Sequence, residues 1–149
     1  IPIKIRAHHL LCIQGYQGHG YSQDFEENMG RMVEKFRINP TLPVMVVCET
    51  DAICEYCPHQ SAGRCTNTTL NHEQISKMDS LVIEKLNLVS GATIGINKLI
   101  SLTKKLNKTD VVEICDGVHG ESAVYGSRIN NFKQSFYSKQ LYQRLMVGQ

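Results

Sequence analysis

Cys54-Glu55-Tyr56-Cys57-Pro58, with Cys65 eight residues beyond Cys57, places three thiols within twelve residues of a chain that has six cysteines. Two thiolates two residues apart can grip one metal centre through a tight turn whose backbone N–H groups point at the sulfurs. Thiolate ligands suit soft or borderline centres, chiefly zinc and iron–sulfur clusters, and a closed site of either kind needs four ligands. Cys54, Cys57 and Cys65 supply three. Cys12 is the favoured fourth because a short helical segment would hold it rigidly, and Cys115 is the reserve. Cys48 lies inside an apolar run and reads as a small buried hydrophobe. Three unrelated loop cysteines are the bland alternative. The missing second Cys-x2-Cys pair argues against an ordinary zinc ribbon.

Histidines flank these thiols. His8 and Cys12 are four apart and His9 and Cys12 three apart, so a helix would set all three on one face. His8, His9 and His59 are therefore candidates to sit behind the ligands and donate to sulfur, or to move protons. Against that stands the plainer reading of a core histidine that satisfies a carbonyl. His19 lies in a glycine turn, and His72 and His119 carry no specific signal. The usual dinucleotide, P-loop, nucleophile-elbow and His-Glu-x2-His patterns are absent.

The elements that must position these residues are legible in outline. A short helix is expected over Arg6 to Ile13, ended by Gly15. Ser22 should cap a second helix reaching Arg37, with Phe25, Met29, Met32, Val33 and Phe36 on one stripe. Pro40 and Pro43 break it, and Val44 to Cys48 reads as a buried strand. Asp51 to Asn71 has no usable periodicity; an irregular segment that long needs a cause, which a metal centre would supply. Thr69 or Asn71 should cap a helix to about Leu88, and Thr93 should begin another that includes Leu106. Asp110 caps a short segment through Cys115, and a last helix is expected from Asn130 to Met146. The predicted fold is mainly α, with α+β as the alternative: one small helical domain over 1–149, with one or two short strands and a cysteine-rich metal-binding loop.

Composition sets outer bounds. At 149 residues, 42% hydrophobic and 20% charged, the chain has ordinary globular make-up and enough length for a core without disulfide staples. A net charge of +2 with no basic stripe gives no reason to expect nucleic acid. No apolar run approaches a membrane span. The early charges at Lys4 and Arg6 do not fit a secretory signal, so a cytoplasmic setting with reduced thiols is expected.

Arg6-Ala7-His8-His9-Leu10-Leu11-Cys12, Gly18-His19-Gly20-Tyr21-Ser22 and Asp51-Ala52-Ile53-Cys54 together resemble the domain of unknown function 1284 family, which is associated with iron–sulfur binding. The likeness runs over about 5–88, and 117–149 diverges from the pattern. The resemblance implies that Cys12, Cys54, Cys57 and Cys65 are the ligands in a small cytoplasmic protein. It brings no demonstrated reaction. The leading expectation is a [4Fe–4S] protein for electron transfer or redox sensing, acting with a redox or protein partner. A structural zinc-binding interaction domain is the first rival. The second is a small-molecule enzyme with a pocket under the Gly15 to Tyr21 turn, lined by His8, His9, Tyr16, Tyr21 and Asp51.

Overall fold

The computed structural model describes residues 1–14, 16, 22–66 and 72–115. Its first element is a strand, β1 (Ile3–Arg6), which leads directly into the four-residue helix α1 (His9–Cys12). The sixteen-residue helix α2 (Gln23–Ile38) follows, and its first turn is capped by Ser22, whose hydroxyl accepts from the Phe25 N–H. Phe25, Asn28, Met29 and Phe36 form its buried stripe. β2 (Pro43–Val47) then returns beside β1.

β1 and β2 are parallel, with Ile3 opposite Val44 and Arg6 opposite Val47. Parallel neighbours require a crossover, and α1 with α2 provides it. The Ala7 N–H donates to the Val47 carbonyl, so the pairing runs one residue past β1. On its other side β2 pairs antiparallel with β5 (Thr93–Gly95), giving a three-stranded sheet in the order β1-β2-β5. Between these strands lie a 3-10 turn (Cys54–Tyr56), the hairpin β3 (Gln60–Ser61) and β4 (Arg64–Cys65), and helix α3 (His72–Lys85). Helices α4 (Ile96–Thr103) and α5 (Lys108–Cys115) follow β5.

The core gathers Ile5, Leu10, Phe36, Val44, Val46, Ile53, Val82, Ile96, Leu99 and Ile100, all essentially inaccessible. Ala62 and Gly63 both have positive φ, the two-residue turn that matches the twist of a hairpin. The Asn107 and Asp110 side chains each accept from the other's backbone N–H, a reciprocal cap at the start of α5.

The fold is therefore α+β, the alternative that the sequence left open, and it departs from the mainly helical expectation in having five short strands among the described residues rather than one or two. Two short segments account for the difference. Ile3-Lys4-Ile5-Arg6 has the period of a strand but is only four residues long and runs straight into α1. Thr93–Gly95 pairs with β2 and so starts as strand, with α4 beginning only at Ile96. The segment at 51–66 is also less irregular than expected, since it holds the 3-10 turn and the hairpin. The expected helix at 130–146 lies outside the described residues, as do the caps proposed at Thr69 and Asn71.

Candidate metal centre

Two buried carboxylates organise the site. Asp51 lies just before the 3-10 turn, four residues past β2, and its side chain is fully inaccessible. Its Oδ1 accepts the Ile53 and Cys54 N–H groups at 3.0 and 2.9 Å, which closes the 3-10 turn and fixes where Cys54 points. Its Oδ2 accepts the Arg6 N–H at 2.7 Å and faces His9 Nδ1 at 2.8 Å. One aspartate thus ties the end of β1, the start of α1 and the cysteine turn together.

Asp79 projects from α3, and its side chain is likewise inaccessible. Its Oδ2 takes the Arg6 guanidinium through Nε at 3.0 Å and Nη2 at 2.7 Å. Its Oδ1 accepts the His8 N–H at 3.0 Å and faces His8 Nδ1 at 2.7 Å. Arg6, only 1% exposed, continues past this pair and places Nη1 4.0 Å from Cys54 Sγ. The two histidine rings meet edge to face, with centroids 4.5 Å apart.

Burial by itself would raise both aspartates. For Asp51 the His9 charge and hydrogen bond, with the Arg6 and Cys54 N–H groups, reverse this and hold the carboxyl well below the usual range. Asp79 is held down in the same way by its bonds from His8 and Arg6. Burial and the neighbouring His9 push His8 down, against the pull of Asp79, which favours a neutral imidazole. Burial, reinforced by the Asp51 charge, pushes the Cys54 thiol up to about 12. With no metal bound, Cys54 is a protonated, unreactive thiol. A bound cation would deprotonate it outright.

His9, Asp51 and Cys54 each offer a ligand atom, and the three atoms lie within 4.8 Å of one another. The donor set of imidazole nitrogen, carboxylate oxygen and thiolate sulfur fits a borderline ion such as zinc or divalent iron. Of the expected ligands, Cys54 belongs to this group and Cys12, Cys57 and Cys65 do not. Cys12 is exposed at the end of α1. Cys57 and Cys65 are both half-buried, Cys57 just after the 3-10 turn and Cys65 in β4, near enough for the charge of one to raise the other's thiol. His59 lies in the loop before β3, where its carbonyl accepts from Thr66. None of Cys12, Cys48, Cys54, Cys57 and Cys65 is in a disulfide. The Cys115 side chain, His19 and Tyr21 lie outside the described residues. Tyr16 donates its hydroxyl to the Glu26 carbonyl. An open cleft of about 450 Å³ is bordered by Ile1, Lys4, Asp51, Glu55 and Gln60, and none of the histidines lines it.

A family model described as protein of unknown function (DUF1284) matches residues 20–119, which is most of the chain. The chain belongs to the DUF1284 family. The match starts after the Arg6 to Cys12 segment and extends past Leu88, so it covers Asp51, Cys54, Cys57, Cys65 and Asp79 but neither His8 nor His9. No curated protein and no solved structure matches the chain.

Arg6 and Asp79 are the site residues that the sequence reading missed. A signal for Asp79 was present. Ile75, Asp79, Val82 and Leu86 are spaced by four, three and four residues, so a carboxylate sits on the stripe that α3 buries. A charge in that position needs a partner.

Proposed function

We propose that this protein binds one borderline transition-metal ion at the His9–Asp51–Cys54 group. The observation that carries the reading is the convergence of three ligand types, from α1, the segment that follows β2 and the 3-10 turn, within 4.8 Å. The buried Arg6–Asp79–His8 network behind the group supports it, since it packs the His8 ring against His9 and brings Arg6 Nη1 to 4.0 Å from Cys54 Sγ. When bound, the ion would supply a Lewis acid or a redox centre. The chain's own part is to hold the thiol and imidazole in register and keep both carboxylates ionised.

Iron–sulfur chemistry is the second reading, favoured by the placement of Cys54, Cys57 and Cys65 on one short segment with Cys57 and Cys65 close to each other. In that case Cys12 or Cys115 supplies the fourth thiolate, the cluster is [4Fe–4S], and the role is electron transfer or redox sensing with a protein partner. Structural zinc on the same thiols would leave partner binding as the role. Among the described residues no helix is long and apolar enough to cross a membrane. A cytoplasmic site of action is part of the same proposal.

Metal, iron and acid-labile sulfide should be measured on protein prepared without oxygen, for wild type, His9→Gln, Cys54→Ser and Cys57→Ser. The single-ion reading expects one metal per chain, no sulfide, loss in the first two variants and retention in Cys57→Ser. Labile sulfide, with loss in Cys57→Ser, would replace it by the cluster reading.

A further inference from the structure

Arg6 is a buried cation beside a group proposed to bind another cation. Its exposure is 1%, and Asp79 answers its charge through Nε at 3.0 Å and Nη2 at 2.7 Å. The pair is neutral as a unit, so it opposes an incoming ion far less than a lone guanidinium would. Asp79 also sets a direction. The guanidinium is a rigid planar fork, and engaging its Nε–Nη2 edge fixes where Nη1 points. Nη1 points at Cys54 Sγ, 4.0 Å away.

The two ends of this contact are also held in register through their backbones. Asp51 accepts the Arg6 N–H at 2.7 Å on Oδ2 and the Cys54 N–H at 2.9 Å on Oδ1. One carboxylate thus spaces two residues that lie 48 positions apart. Cys54 Sγ is the partner that Nη1 meets among the described residues. A neutral thiol is a weak acceptor, and 4.0 Å is long even for sulfur. The form that ligates a metal is the thiolate, whose charge draws a cationic donor to a shorter and stronger bond. A buried guanidinium N–H aimed at this sulfur is therefore better matched to the metal-bound thiolate than to the protonated thiol.

We propose that Arg6 is a positioning residue of the metal centre, whose Nη1 donates to the Cys54 thiolate when the ion is bound, with Asp79 as the anchor that aims it. This rests on the metal-binding reading and adds to it the group that answers the charge left on sulfur. The contact tightens as the ion enters, and Arg6 acts on the sulfur without touching the metal. Lysine is no substitute. An ammonium on a flexible stem is a point charge, which cannot grip Asp79 along one edge while aiming a second donor at Cys54.

Two measurements on the full, reduced chain test this. In wild type loaded with 113Cd(II), an Arg6 Nη1 proton should move downfield and show coupling to the metal through the sulfur. In cobalt(II) titrations, Arg6→Lys should lower affinity by about 10–100-fold. Its sulfur-to-cobalt charge-transfer band should also move to longer wavelength, because sulfur that has lost a donor gives up electron density more readily. A purely structural role would weaken binding and leave the band of the bound form where it was. If cadmium binds without that coupling, or if Arg6→Lys binds cobalt with an unmoved band, the Arg6 assignment is wrong while the metal reading stands. If wild type takes up neither ion, the metal reading falls and the assignment with it. Should Arg6→Lys not fold, the cadmium experiment on wild type decides.

Discussion

Arg6 and Asp79 form an ion pair that solvent barely reaches, with side-chain exposures of 2% and 0%. Such a pair adds little when intact, because both ions lost their hydration, but removing one partner strands the other. Asp79→Asn should therefore destabilise the metal-free protein by about 3–5 kcal/mol, measured as a lower urea midpoint with an unchanged slope. The same residue predicts the acid response. Its folded pKa lies below the ordinary value of about 3.9, so the unfolded chain binds the proton more readily. Its stabilisation is present above about pH 4 and is lost as pH falls through the folded value. Urea midpoints recorded downward from pH 5 should fall more steeply for wild type than for Asp79→Asn. At this scale the sequence revealed the loop thiols and the His8-His9 pair by type and spacing. Arg6 and Asp79 stayed hidden because they are 73 positions apart, and nothing local pairs a strand-end arginine with an aspartate on a helix stripe.

Local chemistry governs the elements, and two positions isolate it. Ser22→Ala removes the acceptor for the Phe25 N–H at the start of α2 and should cost about 1 kcal/mol in urea unfolding, with the fold unchanged. Ala62 holds φ at 49° in the exposed hairpin turn between β3 and β4, where a Cβ is disfavoured. Ala62→Asn tolerates that region better and should raise stability by about 0.5–1 kcal/mol; a fall in the urea midpoint would contradict this account of the turn. Ser22, Pro40 and Pro43 made α2 and β2 readable because a cap and two breakers punctuate them. β1 was not readable, since Arg6 and the following His8-His9 look continuous with a helix until pairing with Val47 is known. Thr93–Gly95 became strand for the same nonlocal reason.

For the molecule as a whole, the sheet β1-β2-β5 brings Arg6 and Asp51 to neighbouring strand ends, and α3 lays Asp79 across them. A metal-binding set assembled from such distant segments exists only in the folded chain, so binding and folding are linked. Saturating zinc at about 100 times its dissociation constant should add about 2.7 kcal/mol to unfolding, an increment that His9→Gln abolishes. The central claim is that nitrogen and sulfur meet at a single ion. X-ray absorption at the edge of the metal carried by protein prepared without oxygen tests it most directly. We predict nitrogen or oxygen neighbours at about 2.0–2.1 Å with a single sulfur near about 2.3 Å, and no second metal. A shell made wholly of sulfur, with an iron–iron distance beyond it, would contradict the account.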